Sequence, residues 1–286
     1  MYFATNLGLT LYNKAVLQYA SFHLPWLLTA LHSICSFFGS FIFVTLGCGG
    51  QHKSSAEANS RRGMATLFAL SVLYTVNIAV SNISLDMVTL AFHQLVRSTT
   101  PVFAVVLSLM FNLKSFSTDT YLALTPVVLG VIMATYGDIS FTTSGLLLTV
   151  LGTALAAIKT IVTNLVLVGD LKLQPMDLLW RMSLLAFFQC LIVAEANGEI
   201  EQLMVRLETA DSSFYLIMLG NGTVAFFLNY ASFTTNMLSS ALTMTVAANI
   251  KQVLAIILAI VVFHSQVTFF NGFGILVTLA GGAQYT

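Results

Sequence analysis

Met237–Phe263 reads MLSSALTMTVAANIKQVLAIILAIVVF, and Lys251 is its one formal charge. The run is long enough to cross a hydrocarbon core of about 30 Å. At a rise of about 1.5 Å per residue, Lys251 stands roughly 20 Å from its start, near mid-depth. An ammonium group there costs on the order of 2.5–3.5 kcal/mol on insertion scales, so it calls for an anionic partner, a wet cavity or a substrate. The architecture that answers this is a bundle of spans holding a lysine where an anion can reach it.

The surrounding chain is of the same kind. Hydrophobic residues make up 57% and charged residues 8%, against about 25% charged in soluble domains. That excludes an ordinary soluble domain and predicts a polytopic helical membrane protein. The formal net charge is +0 and no basic block is present, so nothing recommends a nucleic-acid partner. Cys35, Cys48 and Cys190 stand alone on or beside apolar runs, without CxxC or metal spacing, and read as small packing residues. The first apolar segment carries Asn6, Asn13 and Lys14 and runs into a second span, unlike a cleavable signal. Met1 sits almost inside that segment, as it would if a cytosolic tail were missing.

Ten apolar segments can be marked: Phe3–Ala20, Pro25–Gly47, Met64–Ile83, Met87–Asn112, Tyr121–Tyr136, Phe141–Val168, Met176–Ala194, Phe214–Thr235, the Lys251 run and Val267–Tyr285. With the amino terminus in the cytosol, Lys53, Arg61, Arg62, Lys114 and Lys172 fall on the cytosolic side and only Arg206 opposite. This positive-inside bias predicts that both termini are cytosolic. Glu195, Glu199, Glu201, Glu208 and Asp211 then face the lumen or exterior as a solvated stretch, with a short interfacial helix around Ile200–Leu207.

An even number of spans invites a search for repetition. Aligning Phe111 with Phe263 lays PVFAVVLSLMF over VLAIILAIVVF and brings Arg97 within two positions of Lys251. Each half therefore has one cation deep in its fourth span. The expected fold is an all-α polytopic membrane protein, ten transmembrane helices in a five-plus-five inverted repeat. The repeats are 1–140 and 141–286 of one integral transporter domain. Such symmetry puts a binding site at mid-membrane between the halves.

Lys14, Arg97, Lys159 and Lys251 lie within apolar spans and Arg181 nearer an end, whereas Asp86, Asp138, Asp170 and Asp177 all sit at span ends. Cations without carboxylates at their depth repel one another, which predicts a hydrated cavity suited to a multiply charged anion. Snorkelling to the interface is the other reading; it fits Arg181 and stays open for Lys14 and Lys159. Phosphate is the natural anion, since guanidinium grips it in a fork and lysine supplies a point charge. Neutral polar groups flank the cations: His93, Gln94, Ser98, Thr99 and Thr100 near Arg97, and Thr243, Thr245, Asn249 and Gln252 near Lys251. These can orient sugar hydroxyls or a base edge, or can bond neighbouring helices. His93, one turn before Arg97, reads as a neutral hydrogen-bonding group. Pro101 should bend its span. The glycosylation pattern occurs at Asn82 and at Asn221, the latter inside a span. No HExxH, GxSxG or phosphate-cradling glycine loop and no pair of buried carboxylates is present, so neither an enzyme nor a cofactor or metal is expected.

Asn82-x-Ser84-Leu85, AFHQLVRSTTPVF and SSALTMTVAANIKQVLAIILAIVVF together resemble the triose-phosphate and nucleotide-sugar translocators of the drug/metabolite transporter superfamily. Tyr12-Asn13-Lys14 and KLQP fit as well. The resemblance covers essentially the whole chain and implies alternating-access antiport. By it, Arg97 takes the place of a phosphate-binding lysine, and a lysine–arginine pair becomes Lys251 and Gln252. A triose-contacting histidine falls on Ile78, with its hydroxyl neighbour kept as Ser81. A tyrosine in the eighth span falls on Leu228, with the next asparagine kept as Asn229. These departures imply a substrate larger than a triose phosphate. The expectation is an antiporter of the Golgi or endoplasmic reticulum membrane exchanging a nucleotide sugar for a nucleoside monophosphate or phosphate. Arg97 and Lys251 would hold the phosphate; Gln252, Asn249, His93, Ser81 and Asn229 would add hydrogen bonds; Lys14 and Lys159 would widen the positive field. No plastid transit peptide is expected in the residues before Phe3, although a truncated start would hide one. A triose- or hexose-phosphate/phosphate exchanger and a non-transporting receptor or scaffold are the alternatives, and pairing of two copies stays open.

Overall fold

The computed structural model describes residues 2–19, 22, 24–46, 59–111, 113, 115–136, 142–169, 171–239 and 268–284. The Lys251 run beyond Ser239, and with it Asn249 and Gln252, lies outside the described residues. What is described is helical: α1 Tyr2–Tyr19, α2 Pro25–Thr45, α3 Arg61–Met87, α4 Leu90–Arg97, α5 Thr100–Met110, α6 Thr118–Tyr136, α7 Thr143–Val168, α8 Pro175–Ala196, α9 Glu199–Glu208, α10 Ser212–Leu238 and α11 Phe269–Gln284. Among the described residues six spans are long and apolar enough to cross a membrane: α2, most of α3, α4 with α5, α7, α8 and α10. Apolar side chains such as Ile192 and Phe269 are 70% and 90% exposed. Water would penalise such a surface and lipid does not. The chain is an integral membrane protein.

Local chemistry sets the helix ends. Pro25 and Pro175 stand in the first turns of α2 and α8, where a missing N–H costs nothing. Thr89 caps α4 by accepting from the Phe92 N–H at 3.2 Å. The turn before α8 places Lys172 in the left-handed region, φ 44°. The span expected at Met87–Asn112 is broken: α4 stops at Arg97, Ser98 and Thr99 form a turn, and Pro101 lies in the first turn of α5. The proline thus acts as anticipated, because its ring and absent N–H are tolerated at a helix start and not further in.

The interfacial helix around Ile200–Leu207 appears as α9. Its first residue departs from the solvated role expected of the acidic stretch. Glu199 is 5% exposed, and its carboxylate accepts from the Trp26 N–H at 3.3 Å and the Leu27 N–H at 2.9 Å. Leu24, the residue before α2, offers no capping side chain, so a carboxylate from a distant helix satisfies those donors instead. Burial pushes the Glu199 carboxyl above its ordinary range, against the two N–H groups that pull it down.

The chain forms two compact units, one of Met1–Ala79 with Val162–Leu238, the other of Val80–Ile161 with Ser239–Thr286. Each draws on both 1–140 and 141–286. Leu70, Leu178, Leu179, Met182, Phe226 and Phe233 form the main core of the first. Val16, Leu28, Phe214 and Met218 belong to a second cluster there. In the other unit, Phe92, Leu95 and Val96 of α4 pack on Val131 and Ala134 of α6 and Ile275 of α11. A Cβ on Gly274 would come within 2.6 Å of the Gly130 carbonyl oxygen and 2.8 Å of Ala134 Cα, so glycines let these helices touch backbone to backbone.

Candidate functional site

In the second unit, seven residues of α4, Leu90 to Val96, are buried, among them His93 and Gln94 at 4% exposure. Arg97 ends that helix, half-buried, where the C-terminal end of the dipole favours a cation. Its Nη1 donates to Ser81 Oγ of α3 at 2.9 Å. Lys159 of α7, half-buried, lies in the same unit. Arg97, Ser81, Lys159 and His93, all expected site residues, thus share one unit, with Arg97 and Ser81 in direct contact. Gln94 Oε1 is buried there without a hydrogen-bond partner among the described residues.

The first unit carries a ladder of neutral polar groups that the sequence did not announce. Asn221 of α10 is fully buried; its Nδ2 donates to Asn13 Oδ1 of α1 at 2.8 Å and its Oδ1 pairs with His32 Nε2 of α2. Two turns along α10, Asn229 Nδ2 donates to Ser36 Oγ of α2 at 3.1 Å, and Tyr74 of α3 donates its hydroxyl to Asn229 Oδ1 at 2.9 Å. Gln189 of α8 donates to Ser71 Oγ of α3 at 2.8 Å. Glycines admit these neighbours: a Cβ on Gly220 would meet the Tyr12 hydroxyl at 3.0 Å, and one on Gly222 would crowd Cys35. Burial removes Asn221 from any glycosylating enzyme. Asn229, an expected site residue, is in this ladder; the backbone of Lys14 follows Asn13 in α1.

Two further expectations fare differently. Arg181 is tied near the start of α8, with Nε on Asp177 Oδ1 at 3.0 Å and Nη1 on Asn59 Oδ1 at 3.1 Å, which agrees with a role near a span end. Cys35 and Cys190 are free thiols, Cys190 fully buried. Among the described residues no group of His, Cys, Asp and Glu side chains could hold a metal ion.

Apolar spans, cationic side chains within them and buried amides bridging the helices mark a helical membrane protein with polar groups in its interior. Residues 1–286 match the Triose-phosphate Transporter family, and the chain belongs to it. Membership makes the protein a transporter and not an enzyme. A probable sugar phosphate/phosphate translocator of Arabidopsis thaliana is 31% identical, the match covering 100% of this chain and 79% of that one. UDP-uronic acid transporter 1 of the same plant is 28% identical, over 99% of this chain and 92% of its own. A solved crystal structure superposes with a TM-score of 0.63 over 100% of this chain and 94% of its own at 12% identity, a likeness of fold alone.

Proposed function

We propose that the protein is an obligate antiporter for a phosphorylated sugar, above all a nucleotide sugar, taken in exchange for a nucleoside monophosphate or inorganic phosphate. The observation that supports it most is Arg97 at the end of α4, half-buried among membrane helices with Ser81 Oγ steadying its guanidinium, and Lys159 in the same unit. Cations held within membrane helices repel each other until an anion with more than one negative oxygen neutralises them. Lys251, Gln252 and Asn249 complete the phosphate site in this reading, His93, Ser81 and Asn229 add hydrogen bonds, and Lys14 widens the field. The bilayer is its medium, with ten helices in two inverted repeats, 1–140 and 141–286, and both termini cytosolic. The similarity to a UDP-uronic acid transporter, and Ile78 and Leu228 where the resemblance implies polar groups, favour a substrate larger than a triose phosphate. A nucleotide-sugar substrate carries with it a Golgi or endoplasmic reticulum membrane.

Charge compensation accounts for obligate exchange: like-charge repulsion between the site's cations opposes occlusion without substrate, and a bound phosphate removes that penalty. The test is counterflow into liposomes preloaded with UMP or phosphate and offered labelled nucleotide sugars and sugar phosphates. Uptake of nucleotide sugars that depends on internal UMP supports the reading. Net efflux without external substrate, as fast as exchange, overturns it. The similarity to a sugar phosphate/phosphate translocator supports a second reading, a sugar-phosphate/phosphate exchanger, for which small sugar phosphates alone would compete.

A further inference from the structure

Asn229 is held at both ends of its amide. Its Nδ2 donates to Ser36 Oγ at 3.1 Å and its Oδ1 accepts from the Tyr74 hydroxyl at 2.9 Å. An amide has two N–H donors and two carbonyl lone pairs. One N–H and one lone pair therefore remain among the described residues, and the two hydroxyls hold the plane of the amide. Ser36 is fully buried and Tyr74 is 9% exposed, so the orienting groups are enclosed, while Asn229 itself is only half-buried. A donor and an acceptor on one held amide match a hydroxyl, which both gives and takes a hydrogen bond. A phosphate oxygen could use the donor alone. The helix that bears Asn229 has Leu228 next to it and so supplies no hydroxyl at that position.

We infer that Tyr74 and Ser36 are positioning residues for specificity: they fix the Asn229 amide so that its spare N–H and lone pair read a hydroxyl of the transported sugar. This rests on the nucleotide-sugar reading above. Helix pairing alone, the common use of buried amides in membranes, would make all three residues matter for stability and none for substrate choice.

The experiment compares UDP-glucuronic acid with UMP as external substrates of purified protein in UMP-loaded liposomes. Tyr74→Phe keeps the ring and removes the hydroxyl. It should raise KM for UDP-glucuronic acid about threefold to tenfold, the worth of one hydrogen bond, with KM for UMP unchanged. Ser36→Ala should act in the same direction. In an Asn229→Ala background, Tyr74→Phe should add nothing, because its effect passes through the missing amide. Equal KM changes for both substrates, a fall in Vmax alone, or an undiminished Tyr74→Phe effect without Asn229 would overturn the inference. If the wild type exchanges glucose 6-phosphate for phosphate and ignores UDP-glucuronic acid, the nucleotide-sugar reading fails by itself. The same comparison, run with glucose 6-phosphate against phosphate, then decides the role of Tyr74.

Discussion

Removing the carboxylate at Glu199 should loosen the start of α2. In the structure its two oxygens receive the Trp26 and Leu27 N–H groups at 3.3 and 2.9 Å, and Leu24 before the helix provides no substitute. Losing a helix cap costs about 1 kcal/mol, and a buried N–H left without an acceptor costs about 1–3 kcal/mol. These overlap, so Glu199→Ala should destabilise by about 2 kcal/mol. That corresponds to a fall in melting temperature of roughly 3 °C for a protein of this size. Glu199→Gln keeps an oxygen for Leu27 and should lose less than half as much. Burial raises the folded-state carboxyl above its unfolded value, so the folded protein holds that proton more tightly. The group's contribution is full below the ordinary glutamate range of about 4.3 and is lost as pH rises through the raised value. Wild type should therefore gain on Glu199→Gln as pH is lowered from 7 toward that range. Thermal unfolding of the detergent-solubilised protein at several pH values measures both effects. An alanine variant as stable as wild type would refute the capping argument, and a wild-type advantage over glutamine that shrinks on acidification would refute the dominance of burial over the two N–H groups.

Arg97→Ala should lower exchange about 100-fold, the worth of charge-assisted bonds to phosphate, and Ser81→Ala only about threefold to tenfold, since it merely frees the guanidinium; initial rates in proteoliposomes separate the two. Gly274→Ala drives a Cβ into the backbone of α6 and should destabilise by about 1–3 kcal/mol or more, read from detergent melting curves. Asn221→Ala removes the bridge between Asn13 and His32. At about 0.6 kcal/mol for an average bond between membrane helices, reaching about 1.7, it should cost about 1–3 kcal/mol, and Asn13→Ala should be non-additive with it.

How much of this could be read from the sequence depended on whether a signal was local. Apolar runs placed α2 and α8 closely, and Pro101 marked its span as irregular where the structure has a turn after Arg97, because both follow from backbone chemistry within a few residues. Arg97 stood out since a charge in an apolar run has few uses, and Ser81 came with it through the family pattern. Glu199 was concealed among acidic neighbours that look equally solvated: only the fold brings it to Trp26 and Leu27, more than 170 residues away in the chain. Tyr74, His32 and Asn221 escaped for a related reason. A neutral amide, ring or hydroxyl in a membrane helix looks the same whether it holds a neighbouring helix, binds a substrate or turns back to its own carbonyls, and partners on other helices decide which.

The kinds of bond in each unit bear on how a carrier of this family can move. Arg97 is steadied by the Ser81 hydroxyl, a bond that orients the guanidinium without cancelling its charge. In the other unit, Asn221 and Asn229 tie α10 to α1, α2 and α3 through neutral amides and hydroxyls. Ties of this sort are worth on average about 0.6 kcal/mol each between membrane helices, against about 3–5 kcal/mol to break a buried ion pair. The Arg181–Asp177 ion pair joins residues one turn apart on α8 and so locks no helix against another. Cross-helix bonds that are weak and neutral fix a helix's register in one state, yet they can be broken and remade when the helices shift. On the proposed reading, a phosphate of the substrate supplies a stronger, charge-assisted tie than these bonds do.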